Sequence, residues 1–365
     1  MSILLLRRAF LQIGVFVGKS MERSAMRKIK IAQIGINRYS HGGELFDTLR
    51  RLPEVFELVG YALVEDERQT CAEQIKRHYA DYPELTLEQI LNDPTIEAVC
   101  VETDEIHLTK YARMAAEAGK HIHMEKPGSQ DLADFERLIE TVKKGGKVFH
   151  VGYMYRYNPM IADVIRRARA GEFGHIYCVE AHMSRLDTPE TRRWLGAFRG
   201  GMMFYLGCHL IDLVMQLQGE PTEILPFNTR TGIDGVDTED LGMAVLRYPH
   251  ALSFVRAGGT EIGGGSRRQL VLCGERATVE IRPLEGRVRD ADNPYVCYTT
   301  GTEIRRSEDG TIEKTERRSE NFHRYEGMLL AFAEMVRGEK ENPYTYDYER
   351  TLYKTILKAC GMGEG

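Results

Sequence analysis

Between residues 29 and 152, short apolar runs alternate with helix-length amphipathic segments, and this rhythm limits the fold more than any other feature of the chain. The runs cover 29–35 (IKIAQIG), 56–64, 98–102, 121–124 and 147–152. The first is nearly continuous, as in a strand buried on both faces. Helices are predicted at 42–52, 69–79, 106–118 and 131–144, with a short one at 87–91 behind Thr86 as N-cap. Gly119 and the pair Gly145-Gly146 supply helix stops. Alternation with short links predicts an α/β fold, a doubly wound parallel sheet over residues 26–150. Such sheets bind ligands beyond the carboxyl ends of their strands.

Past Gly152 the pattern changes. A helix at 160–170 and a strand at 175–183 lead into a helix over 201–217. Strands follow at 222–228, 241–248, 251–256, 269–273 and 278–282, with turns and little helix between them. For residues 151–365 that order predicts an α+β domain with a large, mostly antiparallel open sheet, helices on one face. Residues 290–314 are polar and turn-rich and fit a loop or hairpin, and helices at 322–337 and 346–359 close the chain. A length of 365 residues suits two such domains.

Charge and composition remove several classes. Lys+Arg 49 against Asp+Glu 54 leave a net charge of −5 with no block of like charge, so no nucleic-acid partner is indicated. No stretch approaches the roughly 18 apolar residues of a membrane span. The seven cysteines are dispersed and never spaced C-x-x-C, which fits free thiols in a reducing compartment. Residues 1–25 contain Arg7-Arg8, like the core of a twin-arginine export signal, but the following apolar run is short and no A-x-A site follows. An upstream-start artefact or loose extension before Met26 explains the segment more simply, and a cytoplasmic location is expected.

The turn 35–43 (GINRYSHGG) sits where a dinucleotide loop belongs. Gly35 opens it, Asn37 holds the second glycine's place, and Ser40 and His41 precede a helix start able to hold phosphate. The acid expected about 20 residues on falls at Leu63, with Glu65 and Asp66 just beyond. Alone, the turn also fits an ordinary strand–turn–helix corner. Lys126, in Glu125-Lys126-Pro127, follows a strand and faces the cleft, where a lysine can donate to a substrate oxygen and lose basicity when partly buried. Tyr205, His209 and Asp212 form one polar stripe at i, i+4 and i+7 on an otherwise apolar helix. A histidine held by a carboxylate makes a general base; the stripe equally fits a structural network between domains. His121 and His123 share a strand face without further ligands at metal spacing, so no metal site is expected. Trp194, the single tryptophan, reads as packing or cleft wall.

Together these segments resemble the glucose–fructose oxidoreductase/inositol dehydrogenase/MocA (Gfo/Idh/MocA) family from about Lys28 to the end of the chain. The resemblance rests on IKIAQIG at 29–35, AGKHIHMEKP at 118–127, Gly152 with Arg156 and Pro159, and Gly200-Gly201 followed by GCHLID at 207–212. It implies a Rossmann domain followed by an open-sheet domain, and NAD or NADP as cofactor, NAD ahead of NADP. It also implies a carbohydrate-like substrate and a homodimer or homotetramer through the C-terminal sheet. Carried over residue by residue, it makes Lys126 the lysine that contacts substrate and cofactor, and His209 the acid/base. Gly35, Asn37, Ser40, His41, Thr103, Glu125, Lys126 and Arg156 are then the expected cofactor contacts, with Asp212 and Trp194 on the substrate side.

Four positions depart from the family's pattern. Asn37 replaces a glycine, Leu63 replaces the ribose-binding acid, Asp104-Glu105 replace Pro-Asn, and Tyr205 replaces a catalytic Asp. Beside Lys126, Tyr205 fits a proton relay, its pKa lowered by the ammonium, and equally fits a scar of lost activity. Lys126, Tyr205 and His209 then form the acid/base group of an enzyme that moves hydride to or from a carbinol of a sugar, sugar acid, cyclitol or glycoside. Redox-assisted glycoside cleavage with tightly bound NAD, and a non-catalytic nucleotide-binding regulator, are the alternative readings.

Overall fold

The computed structural model describes residues 27–289, 293–307 and 309–363, so Arg7-Arg8 and the segment 1–25 lie outside the described residues. Strands β1 (Ile29–Ile34), β2 (Phe56–Ala62), β3 (Ala98–Val101), β4 (His121–Met124) and β5 (Phe149–Val151) form one sheet, ordered β2-β1-β3-β4-β5, with every pair parallel. All four residues of β3 are buried, as the apolar runs require of strands covered on both faces. A single parallel bridge from Tyr61 to Glu84 extends the sheet beyond β2. The Rossmann order is thus kept with one outer strand reduced to a residue pair. Strand order reverses between β1 and β3, and their carboxyl ends open the crevice.

Local signals place most helices. Thr86 and Gln89 form a reciprocal capping box on the helix Leu87–Asn92. Asp131 caps Leu132–Gly145, and Gly146 ends it at φ 62°. The predicted helix 69–79 is instead broken into Glu67–Thr70, Ala72–Gln74 and a π-helical turn Ile75–Tyr79. Tertiary contacts override it: Cys71 and Tyr79 join Ile36, Phe46 and Tyr61 in a small separate apolar cluster.

The second sheet contains β6 (Ile176–Ser184), β7 (Glu223–Thr229), β8 (Leu241–Tyr248), β9 (Ala251–Gly258), β10 (Gln269–Gly274) and β11 (Ala277–Ile281). Beyond β12 (Gly286–Arg287) and β13 (Val296–Tyr298), the hairpin β14 (Thr300–Arg306) and β15 (Ile312–Arg318) completes it. Its order is β15-β14-β11-β10-β6-β9-β8-β7, antiparallel except for the central β6–β9 pair. Ala244, Leu246 and Tyr248 of β8 are buried while Met243 and Arg247 face outward, so one face of the sheet is covered. The helices Cys208–Gln218 and Tyr346–Ala359 supply that cover.

Two features differ from the sequence reading. A small sheet, β12-β13-β16, takes Phe322 and His323 as β16 out of the predicted last-but-one helix, which begins at Glu326. The helix Pro189–Trp194, capped by Thr188, has no apolar stripe to announce it.

Candidate active site

The crevice is built from the first turn outward. Gly35 leaves β1 at φ +85°, and a Cβ there would lie 2.5 Å from Thr103 Cβ, so only glycine permits the approach. A Cβ on Gly43 would meet the His78 ring at 2.6 Å, which lets the helix Gly42–Arg50 seat closely. Outside this turn lies a cleft of about 460 Å³, walled by Asn37, Tyr39, Asp66, Thr103, Asp104 and Trp194 among others. Ser40 accepts weakly from Gly42 N (3.4 Å), and His41 turns to Glu44 (3.7 Å); neither lines that cleft.

Three of the four departures from the family pattern turn out to be bonded partners across the crevice. Asn37 Nδ2 donates to Glu105 Oε2 at 2.7 Å, and its Oδ1 accepts from Tyr39 N at 2.8 Å. The Asn37 side chain therefore points at Glu105 rather than into phosphate space. Glu105 is fully buried, and burial pushes its carboxyl up to about 8. Trp194 stacks on Tyr39 at 4.4 Å and donates from Nε1 to Asp104 Oδ2 at 3.0 Å, closing the cleft from the second domain. Tyr205 donates its hydroxyl to the Tyr39 carbonyl oxygen.

The fourth departure is relocated. Leu63 packs against the small apolar cluster, and the chain then turns at Glu65 with φ 50°. That turn presents Asp66 to the cleft, with no side-chain partner among the described residues. Glu67 is buried behind it, accepting from Val64 N (2.8 Å) and Thr103 Oγ1 (2.7 Å). Burial outweighs those bonds and lifts its carboxyl to about 7. Three consecutive acids after β2 were the available signal. The tight Gly35 turn, the helix start at Gly42 and the unpartnered Asp66 fit a dinucleotide.

At the centre, Lys126 is almost completely buried. Its Nζ donates to the Tyr205 carbonyl oxygen (3.0 Å), lies 3.3 Å from Glu125 Oε1 and sits 4.2 Å above the Tyr205 ring. Burial pulls its pKa down, but Glu125 and the other acidic groups around it prevail and raise it. Lys126 is therefore a fixed ammonium, which corrects the expectation of a lysine that loses basicity. Tyr205 lies in a π-helical turn, Met203–Gly207, ahead of the helix Cys208–Gln218. Burial raises its phenol above the usual range despite Arg185 and Lys126, so the expected lowering does not occur.

His209 is buried, and its Nδ1 has no partner. Tyr153 and Tyr155 flank the ring edge-on at 5.7 and 5.4 Å. Burial, then the charges of Lys126, Arg324 and Arg268, hold its pKa well below the ordinary value. The imidazole is neutral at physiological pH.

Asp212 does not hold His209. It takes Arg156 through Nη2 at 2.8 Å and Nε at 3.1 Å, and also accepts from Tyr348 (2.8 Å) and Gln216 (2.9 Å). Arg156 completes its fork on Glu349 at 2.5 Å and stacks 3.8 Å over the Tyr344 ring. Its side chain is fully buried and does not line the cleft. The expected cofactor contact of Arg156 and substrate-side role of Asp212 are thus replaced by a structural network joining the helices Cys208–Gln218 and Tyr346–Ala359. A buried guanidinium needs such partners, and Glu349 stands too far along the chain for spacing to reveal it.

Comparison with known proteins agrees with this architecture. Residues 29–153 match the family profile described as "Oxidoreductase family, NAD-binding Rossmann fold", and residues 161–280 match the "GFO/IDH/MocA C-terminal domain". The uncharacterized oxidoreductase YdgJ of Escherichia coli (strain K12) is 24% identical over 278 residues, 72% of this chain and 79% of that one. The scyllo-inositol 2-dehydrogenase (NADP(+)) IolW of Bacillus subtilis (strain 168) is 25% identical over 247 residues, 67% of each. Among solved structures, the aldose-aldose oxidoreductase of Caulobacter crescentus superposes with a TM-score of 0.72 at 20% identity, covering 93% of this chain and 99% of that one. With a dinucleotide-type crevice in the first domain and both halves matched in order, the chain belongs to the Gfo/Idh/MocA family of NAD(P)-binding oxidoreductases.

Proposed function

We propose that the chain is a dehydrogenase that oxidises a carbinol of a sugar or cyclitol, with His209 as the base. The observation that carries this reading is a buried, neutral imidazole with an unpartnered nitrogen, close enough to the Lys126 ammonium for that charge to depress its pKa. The named activities of the relatives, scyllo-inositol 2-dehydrogenase and aldose-aldose oxidoreductase, support the substrate class.

The residues divide the work by charge. His209 accepts the hydroxyl proton, because a neutral imidazole has a free lone pair. Lys126 donates to the same oxygen and stabilises the negative charge it gains. Tyr205 acts as a latch: its hydroxyl holds the Tyr39 carbonyl and keeps the first turn against the second domain. Nicotinamide, when bound, supplies the hydride acceptor. Gly35, Thr103, Asp66 and the helix start at Gly42, beside Ser40 and His41, would hold the dinucleotide, with Glu125 and Lys126 at its reactive end.

NAD is favoured over NADP. Asp66 stands on the cleft wall beyond β2, where it can accept from ribose hydroxyls and its charge repels a 2′-phosphate. Arg38, on the cleft wall, is engaged by Glu190 at 3.1 Å. We further propose self-association through the uncovered face of the second sheet, where Tyr177, Phe227, Leu252 and Phe254 stand exposed. All seven cysteines are free, which supports a reducing, cytoplasmic setting, and no helix among the described residues is long and apolar enough to cross a membrane.

The test is His209→Ala, assayed for NAD(P)H formation on a polyol and sugar panel. Loss of a general base should lower kcat by about 10²–10⁴-fold while NADH binding, by calorimetry, persists. Full activity in that variant would make His209 structural.

A further inference from the structure

Around the Lys126, Tyr205 and His209 centre the cations fall into two kinds. Lys126 has Glu125 at 3.3 Å, Arg185 has Asp187 at 2.5 Å, and Arg324 has Glu285 at 2.8 Å. Arg268 has no ion-pair partner among the described residues. Its one side-chain bond is a long one, Nη1 to Tyr155 OH at 3.4 Å, and its buried Nε is unpartnered. A guanidinium carries five donors in a planar fork, and leaving them unmade in a partly buried position is costly.

Arg268 is also held in place. Its carbonyl oxygen accepts from Leu284 N at 3.0 Å, beside the Glu285–Arg324 pair, and it immediately precedes β10. Tyr155 touches both ends of the site: its hydroxyl meets Arg268, and its ring packs edge-on against His209. Tyr155 thus bridges the fork that lacks an ion pair and the base, so an anionic group and a reacting hydroxyl of one substrate would each find a partner beside the same side chain.

Resting on the reading of His209 as the carbinol base, we infer that the substrate carries a carboxylate and that Arg268 reads it. The fork matches the two oxygens of a carboxylate, with parallel N–H···O bonds. Arg268 and Arg324 share the single counter-charge of Glu285, which bonds Arg324, so one excess positive charge remains; it balances a carboxylate, whereas a phosphate dianion would ask for a second. Arg268 is a specificity residue here, since it touches substrate away from the reacting atoms.

The experiment compares matched pairs with NAD: D-glucuronate with D-glucose, D-galacturonate with D-galactose, D-gluconate with D-glucitol, and D-glucose 6-phosphate as the phosphate arm. Turnover is read as NADH formation, and binding by calorimetry with NADH present. One acid should exceed its neutral partner by about 100-fold in kcat/KM, the range of a charge-assisted bidentate contact. In R268M that ratio should collapse toward 1, with R268K intermediate and NADH affinity unchanged, which reports that the fold is intact. Equal use of acid and neutral partners, or preference for the phosphate, would overturn the carboxylate while leaving the dehydrogenase reading in place. Selective, Arg268-dependent binding of an acid without turnover of anything would uphold the anion site and sink the dehydrogenase reading. No binding of any acid would overturn the inference outright.

Discussion

At the scale of single residues, burial decides what each ionisable group can do. Lys126 and His209 are both buried, yet one is fixed as an ammonium by neighbouring acids that overcome burial, and the other is kept neutral by burial first and neighbouring cations second. That opposition supports the roles proposed for them more firmly than either residue type does alone. Tyr205 carries the sharper test, because relay and latch predict different kinetics. Y205F removes the bond to the Tyr39 carbonyl but leaves Lys126 over the ring. As a latch, it should raise KM for NAD several-fold, keep kcat within about tenfold and leave the pH–rate profile unshifted. A loss of kcat beyond about 100-fold, with a displaced limb in that profile, would restore the relay. Asp66 tests the displaced ribose acid. D66A should weaken NAD binding about tenfold, one charge-assisted hydrogen bond's worth, and narrow the preference over NADP; unchanged affinity for both cofactors would move the ribose contact elsewhere.

At the scale of elements, the sequence made the regular parts legible and left the couplings hidden. Apolar runs at 29–35 and 98–102 became β1 and β3 because a strand covered on both faces tolerates little else, while β4 at 121–124 alternates histidine with Ile122 and Met124. The turn could be placed, but its meaning could not. Asn37 and Glu105 looked like two separate departures 68 residues apart, and only the fold reveals one 2.7 Å bond. The Tyr–His–Asp stripe misled for a related reason. Helical spacing aligns side chains on one face, whereas hydrogen-bond partners are set by what packs against that face, and Arg156 claims Asp212 first. The Asn37–Glu105 pair should therefore show coupling. N37G strands a buried carboxyl and E105N alters its partner, so each single change should destabilise. The double variant should be less destabilised than the sum by about 1–2 kcal/mol in urea unfolding. Strict additivity would mean the bond contributes nothing. The outer face of the second sheet yields another prediction at this scale. Leu252 and Phe254 stand on adjacent outward positions of β9, 53% and 37% exposed. L252D/F254D should shift the chain to monomer in light scattering without changing its circular dichroism; an unaltered mass would place any interface elsewhere.

For the whole molecule, two populations of buried groups act on stability in opposite directions with pH. His121 and His123, held down to about 4 and about 3 by burial, and Glu44 and Glu303, each lowered to about 2, all bind fewer protons folded than unfolded. Where the unfolded chain binds more protons, stability rises with pH, so these groups produce a rising limb that ends near the ordinary histidine value. Glu67 and Glu105 do the reverse. With folded values of about 7 and about 8, they bind protons that the unfolded chain has already released. Their contribution is complete below the ordinary carboxylate range and is lost as pH climbs through 7 and 8. The carboxyls of the dinucleotide crevice should therefore place the stability maximum near the ordinary histidine value, with decline on the alkaline side. Gln is close in shape to a protonated Glu, so E67Q/E105Q keeps most of the packing while removing the titration. Between pH 6.5 and 8.5 the double variant should lose about 3 kcal/mol less in urea-derived stability than the parent chain, at roughly 1.4 kcal/mol per unit of displaced pKa. Parallel curves for the two proteins would mean that both carboxyls are already ionised in the folded state. The crevice would then hold Asp66, Glu67 and Glu105 as three full negative charges, and the preference for NAD over its 2′-phosphate would be stronger than argued from Asp66 alone.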